Sequence, residues 1–431
     1  MVKTNNKFQL YDKVFSNKVS IMHSITSHFD VILSGASICM KKTLNFVLSS
    51  LLLFSCISQA DVKIFVHPGM LSTEADFTRA AQLVSAKTSP AIDSWNILTA
   101  SHFANANYAP QPQSYVIRGN PSWGKDNYVL LFRDAAAAYQ LALRWKISGD
   151  TQYADAAARV LDGWSKTLSG VGGTSDRFLT SGIYGYELAN AGEILRTYPG
   201  WKGLADLQNM MLKVFYPMNH DFLTNHITYG AEGKHYWANW DLANMASMMA
   251  IGILTDRDDI YHEALNYAYN GKGNGAFTNA MWHVSPEGLA QVQESGRDQG
   301  HTTLDIVLLG VLCQMAWNQG DDLFSYNENL LLKASEYVAK YNLGNDVPWT
   351  TYTSADGWVQ STISSSARGN IRPAWTLIYN HYSRIKNLPA VYTGQMMNHV
   401  GAEGGGGNYG GNSGGFDQLG FGSLLYNSPA Q

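Results

Sequence analysis

In Gln293-Glu294-Ser295-Gly296-Arg297-Asp298-Gln299-Gly300-His301, an acid, a guanidinium and an imidazole recur at spacings of three and four. If a helix runs through them, Glu294, Arg297 and His301 project from one side, with Gln293 close by. Gly296 and Gly300 leave room for backbone or ligand to approach. The apolar run from Leu304 to Met315 follows directly, so the segment reads as the polar mouth of a packed helix. A purely structural ion pair between Glu294 and Arg297 is the competing account of the same spacing.

A second set, Glu232-Gly233-Lys234-His235-Tyr236-Trp237-Ala238-Asn239-Trp240-Asp241, opens another helix. His235 and Asn239 share a face and Tyr236 lies on an adjacent one; alternatively His235 caps the helix or bonds within the core. Most of the 24 Tyr and 12 Trp are expected to pack helices together. Tyr236, Trp237 and Trp240 are the exceptions, because polar neighbours leave them able to stack on sugar rings. Tyr184 and Asn190 form a third set. Asn190 in mid-helix reads as a cavity-facing amide, since it forgoes helix propensity without capping an end.

These groups suit β-elimination on a uronic acid. The C5 proton is weakly acidic until Arg, protonated His, Asn or Gln donors neutralise the C6 carboxylate and make an enediolate-like intermediate accessible. A Tyr or His then takes the proton, and a Tyr can return one to the departing glycosidic oxygen. Arg297 fits the neutralising role. His301 and His235 fit base or carboxylate-binding work, and Tyr236 or Tyr184 fits the acid. Asn190, Asn239, Trp237, Trp240, Glu294, Gln293 and Gln299 are expected to bind the substrate. A glycoside hydrolase would instead need two carboxylates across a cleft. Glu294 with Asp241 or Asp298 is available, but Glu294 and Asp298 share a face of any helix that holds both. A noncatalytic protein that binds acidic glycans is the third reading. No His-Glu-x-x-His pattern, paired cysteines or phosphate loop points to a metal or nucleotide. The chemistry requires no cofactor, and a structural calcium on loop carbonyls would leave no readable pattern.

The 431 residues, 45% of them hydrophobic, can bury a large core. A formal charge of -4 with 15% charged residues gives no electrostatic case for nucleic acid. The expected partner is an acidic polysaccharide recognised locally by a monomer or weak oligomer. From Met40 the chain reads Met-Lys-Lys-Thr, an apolar run from Phe46 to Phe54, and Ser58-Gln59-Ala60, the parts of an export signal; the run is too short for a membrane span. The expected organisation is a non-native or disordered extension over 1–39, a signal over 40–60 and one catalytic domain over 61–431, exported to the periplasm or beyond. Cys56 offers an alternative lipid attachment point. Cleavage after Ala60 leaves Cys313, which reads as an inert core thiol.

Helical patterns position these groups. Asp126 to Ile147 and Tyr153 to Leu168 flank a Gly149-Asp150 turn, and Trp237 to Leu254 and Ile260 to Tyr269 flank Thr255 to Asp258. Further helices are predicted over 75–86, 90–103, 184–197, 204–216, 301–318, 327–341 and 373–382, with Pro90 and Pro373 in first turns. Long Gly-, Asn- and aromatic-rich segments over 169–182, 270–296 and 350–370 separate the pairs. The pattern predicts an all-α fold, an (α/α) toroid, closed or incomplete, of about six or seven helix pairs, with loops lining a groove. The alternative is an open helical solenoid. Gly401 to Gly415 has almost no side chains to bury, and is either a mobile segment or a loop held by Phe416 and the apolar residues from Leu419 to Tyr426.

Residues 66–345 resemble the alginate lyase superfamily, on His67-Pro68-Gly69-Met70, Arg133-Asp134-Ala135 with Gly149 to Ala154, Tyr186 to Arg196, and His235-Tyr236-Trp237. Tyr236 to Leu242 and Glu294 to Thr303 are most similar to polysaccharide lyase family 38, a resemblance that implies an α/α toroid degrading glucuronan or alginate by β-elimination. The better-known alginate lyases carry Asn-Asn-His before their Tyr-Trp pair, whereas this chain has Gly233-Lys234-His235. The resemblance keeps His235 beside the substrate carboxylate and asks Asn190 or Asn239 to supply the amide. The family's catalytic Tyr has no secure match, and His301 occupies the closest position.

Overall fold

Thr73 opens the first described helix, α1 (Glu74–Ser85), through reciprocal hydrogen bonds with Asp76. The computed structural model describes residues 63–226, 236–407 and 416–429. The expected extension and export signal, Cys56 and His235 lie outside them. After α2 (Ala91–Ala100) the chain enters α3 (Tyr128–Ser148), which ends on Gly149 at φ 75°, a left-handed position that favours glycine. Asp150 then caps α4 (Thr151–Thr167) by accepting the N–H of Gln152. Two adjacent residues thus stop one helix and start its antiparallel partner.

The same logic continues round the chain. α5 (Arg177–Leu195) is followed by α6 (Leu204–Met210), a π-helical turn over Met211–Phe215, and α7 (Tyr216–Asn225). Then come α8 (Ala238–Leu254), α9 (Asp258–Asn270), α10 (Gln299–Asn318), α11 (Tyr326–Asn342), α12 (Trp375–Tyr379), α13 (Val391–Val400) and the short α14 (Gly422–Leu425). α5 packs on α3 and α8, α8 on α10, α10 on α12, and α12 on α14, which returns to α1 and α2 beside α3. The ring therefore closes. α3, α5, α8 and α10 are buried along most of their length and form the inner layer, while α4, α9 and α11 bury one face against them. Gly182 lets α5 and α8 approach, because a Cβ there would stand 2.8 Å from the Ala243 carbonyl carbon.

Several boundaries differ from expectation. α5 begins at Arg177, so the last part of the predicted loop over 169–182, from Arg177 on, is helix. Pro90 and Pro373 precede their helices rather than occupying first turns; Glu403 caps α12 instead, accepting the N–H groups of Trp375 and Thr376 at 3.1 and 2.9 Å. α13 had no predicted counterpart. The loops carry two-residue ladders, including the antiparallel pair Tyr352–Thr353 and Val359–Gln360, and a parallel pair, β1 (Tyr115–Arg118) with β2 (Gly170–Gly173). Gly405–Gly406 pairs with Gln418–Gly420, and Phe416 packs on Phe103 and Phe132, so the described part of the Gly-rich segment is held against the body. Among the described residues no helix is long and apolar enough to cross a membrane, and Cys313 is buried and free.

Residues 66–71 clasp the ring from outside. Gln319 accepts from Val66 and donates to Gly69, Asn190 accepts the Leu71 N–H at 3.2 Å, and Asn318 donates to Met70 at 2.6 Å. His67 bridges Glu193 on α5 at 2.6 Å and Asp256, in the turn between α8 and α9, at 2.9 Å. Burial opposes protonation of this ring, but the hydrogen bond and charge of Glu193 and the hydrogen bond of Asp256 outweigh it and raise its pKa. A histidine raised on folding contributes stability that is complete below its unfolded value and lost as pH climbs through the folded one. Urea midpoints are therefore expected to be higher at about pH 6 than at about pH 9. His67→Gln should flatten that difference and cost about 1–3 kcal/mol at the lower pH.

Candidate active site

Periodicity predicts one helix through Glu294, Arg297 and His301, but the chain changes conformation twice there. Gln293–Gly296 forms a 3-10 turn, Asp298 is extended at φ -170° and ψ 162°, and α10 begins at Gln299. The reason is local: Asp298 accepts the backbone N–H of His301 at 2.8 Å, satisfying a donor that every helix start leaves free. Gly296 lets the Gln360 side chain pack against the turn, since a Cβ there would stand 2.1 Å from the Gln360 Oε1. Glu294 and Asp298 consequently share no helix face.

Glu294 is fully buried. Its Oε1 accepts the N–H of Asn239, in the first turn of α8, at 2.9 Å, and its Oε2 accepts Arg297 Nη1 at 2.8 Å. Gln293 works alongside, accepting the Ala238 N–H at 3.1 Å, while Gln360 donates to the Gln293 carbonyl at 3.2 Å. Asp305, buried on α10, completes the set. Burial, and then the charge of Glu294, push its carboxyl well above the usual range, which disfavours a second negative charge beside Glu294.

Arg297 is held by this anchor with its guanidinium 4.7 Å from the centroid of the Trp237 ring. Trp237 in turn meets Trp358 edge-on at 4.9 Å. His301 Nδ1 lies 2.6 Å from Asp298 Oδ2. Burial raises the pKa of Asp298, but hydrogen bonds from the His301 ring and backbone and the charge of Arg297 outweigh it and keep the group ionised. A carboxylate only accepts, so the ring N–H that faces it sits on Nδ1, and in the neutral ring the lone pair is on Nε2. The Arg297 and His301 side chains remain 27% and 25% exposed, which makes them reachable by a ligand.

Of the residues singled out by sequence, Arg297, His301, Tyr236, Trp237 and Trp240 retain exposed surface. Tyr236 packs against Phe222 at 5.1 Å and Trp240 at 4.8 Å. The others need correcting. Tyr184 is fully buried, with Phe132 at 6.0 Å, and burial raises its phenol pKa, so it cannot serve as an exposed acid. Asn190 spends its amide on the Leu71 N–H and the Tyr186 carbonyl, fastening the clasp to α5 instead of facing a cavity. Gln299 donates to the carbonyls of Ser295 and Ser364 and accepts from Asn342. Gln293, Glu294 and Asn239 are likewise buried and support the site from behind.

The proposed hydrolase pairs also dissolve. Glu294 is committed to Arg297, Asp298 to His301, and the buried Asp241 accepts from Tyr267 at 2.6 Å and meets His226 at 3.2 Å. Sequence reasoning missed Asp305 and Trp358. Asp305 is four residues beyond His301 in an otherwise apolar run, and that isolation was the available signal. Trp358 lies far along the chain in a hairpin and gave none. Among the described residues no group of three or more His, Cys, Asp or Glu side chains could hold a metal ion.

Residues 83–349 match the family model described as alginate lyase. Comparison with curated proteins gives no match. Among solved structures, alginate lyase A1-III from Sphingomonas species A1 is similar at 14% identity and a TM-score of 0.56, covering 86% of this chain and 98% of its own. An alginate lyase from Bacteroides ovatus is similar at 14% identity and a TM-score of 0.52, over 77% of this chain and 96% of its own. An A1-III variant with one tyrosine replaced by phenylalanine, complexed with tetrasaccharide, is similar at 14% identity and a TM-score of 0.53, over 86% of this chain and 99% of its own.

The anchor is open to a stability test. Glu294→Ala strands the Asn239 N–H and the Arg297 guanidinium, and should lower unfolding stability in urea by about 3 kcal/mol. Glu294→Gln, which still offers an acceptor to Asn239, should lose clearly less.

Proposed function

The chain belongs to the alginate lyase family, and from that premise we propose that it cleaves 1,4-linked uronic acid polymers by β-elimination, leaving 4,5-unsaturated uronate ends. The observation that carries the mechanism is an arginine anchored by a buried acid beside an imidazole whose Nδ1 is held by Asp298. Arg297 neutralises the C6 carboxylate, which stabilises charge developing towards an enediolate. His301 Nε2 takes the C5 proton. The freed electron pair forms the C4–C5 double bond and breaks the C4–oxygen bond, and Tyr236 protonates the departing oxygen. Trp237, with Trp240 nearby, supplies aromatic surface for the sugar ring.

Within the family, Tyr236 to Leu242 and Glu294 to Thr303 support kinship with polysaccharide lyase family 38, and with it glucuronan as well as mannuronate-rich alginate as substrate. The two sugars differ in stereochemistry, which pocket shape discriminates better than residue type. The pattern from Met40 to Ala60 supports export ahead of action on such a polymer.

Incubation with glucuronan or mannuronate-rich alginate should generate the ultraviolet absorbance of unsaturated uronate. Arg297→Ala should lower turnover by about 10²–10³-fold and His301→Ala by about 10²–10⁴-fold, with Tyr236→Phe also impaired. Reducing ends released without that absorbance would sink the lyase reading, and near-normal turnover in the first two variants would remove the proposed centre.

A further inference from the structure

A hairpin from far along the chain extends the aromatic surface beside Arg297. Tyr352–Thr353 and Val359–Gln360 pair antiparallel, and Ser354 carries the pairing one step further by donating its N–H to the Trp358 carbonyl at 2.8 Å. The Gly357 N–H closes the turn on the Ser354 carbonyl at 2.9 Å. Side chains alternate along a strand, so Trp358 and Gln360 share one face of the hairpin and Val359 lies on the other. Gln360 shows where the first face looks: its amide donates to the Gln293 carbonyl, and its side chain packs against Gly296. Trp358 accordingly reaches Trp237, with the two ring planes at 88°. Val359 is 53% exposed.

The hairpin is fastened to the site at several points. Gln291 exchanges two bonds with Thr350, donating to its carbonyl and accepting its N–H, both at 2.9 Å. Past the hairpin, the Ser364 N–H donates to the Ser295 carbonyl at 2.9 Å, and the Gln299 N–H donates to the Ser366 carbonyl at 2.8 Å. The Tyr352 hydroxyl donates to Asn274 at 3.3 Å, and Asn274 donates to the Tyr236 carbonyl at 2.6 Å. The segments on both sides of Arg297, and the backbone of Tyr236, therefore share this support. None of these bonds asks for an indole at position 358. Trp358 keeps 38% of its surface exposed, and the Trp237 ring that it meets at 4.9 Å is the ring that Arg297 faces at 4.7 Å. A guanidinium and an accessible indole are thus neighbours of one ring, on a rigid frame.

A 1,4-linked uronan offers what such a pair can bind: a carboxylate for the guanidinium, and on the next residue a pyranose face of C–H groups for the indole. We propose that Trp358 is a sugar-stacking residue, whose exposed surface receives the uronate residue adjacent to the one held by Arg297. This rests on the uronan lyase reading, and the place of Trp358 is in binding, not in bond breaking.

The test combines turnover with a binding measurement that needs none: affinity electrophoresis in gels containing glucuronan or alginate. Trp358→Ala should raise KM for the polymer about five- to fiftyfold while kcat stays within about threefold. Trp358→Tyr, which restores an aromatic face, should recover most of the loss. Val359→Thr, on the opposite face of the hairpin, should leave KM within about twofold of the wild type. An unchanged KM in Trp358→Ala overturns the stacking role. A fall in kcat alone also overturns it, because Trp358 would then act only through Trp237 and Arg297. An equal rise of KM in Val359→Thr would trace the defect to the hairpin's fold and not to the indole. If the wild type makes no unsaturated product from either polymer, the lyase reading fails, and the gel still decides: retardation weakened in Trp358→Ala supports the stacking role, and retardation that is equal or absent in both proteins refutes it.

Discussion

One buried carboxylate organises the mouth of this ring. Glu294 has no exposed surface and would be costly to bury without partners, so everything around it is arranged to satisfy it. The N–H of Asn239 ties it to the start of α8, Arg297 Nη1 ties it to the lead into α10, and the carboxyl of Asp305, held above the usual range by burial and by the charge of Glu294, completes its surroundings. The consequence reaches beyond stability. Two helices that meet through apolar packing alone could slide by small amounts, whereas a carboxylate with directed bonds to both sets their relative position. Arg297 and the Trp237 ring are held by that position.

The inner layer supplies the rest of the electrostatics. Helix starts carry partial positive charge and free N–H groups, and the start of α8 offers one such N–H, from Asn239, to Glu294. With only 15% charged residues and a net charge of -4, the protein has no broad basic surface to attract a polyanion. Arg118 and Arg297 are instead each set against an aromatic ring, which limits the freedom of the guanidinium.

The sequence made the helical architecture legible because the signals were local. Gly149-Asp150 as stop and start, the 3.6-residue periodicity of the inner helices and the polar mouth before Leu304 were all present in short windows. The site was legible in residue type more than in geometry. Arg297 and His301 were singled out through a presumed helix that does not exist; they nonetheless lie together because Glu294 reaches Arg297 across a 3-10 turn and Asp298 reaches His301 across a cap, both three residues apart. Asn190 misled for a definable reason. A mid-helix amide signals a partner outside its own helix, and sequence cannot distinguish a substrate from the backbone of residues 66–71. Trp358 was invisible because its contact with Trp237 spans more than a hundred residues of chain, with no pattern at either end.

The anchor also explains why position 297 calls for arginine. One nitrogen of the guanidinium is committed to Glu294, the group lies over the Trp237 ring, and in the proposed reaction the edge that remains meets a substrate carboxylate. A planar group with five donors can serve an internal acid and an external one together, with its charge spread over both. A lysine ammonium is a point charge on a flexible stem; drawn to the buried Glu294, it would have little left to offer outward. Asp305 sharpens the distinction. Held above the usual carboxylate range by burial and by the charge of Glu294, it adds little negative charge of its own to compete for the arginine.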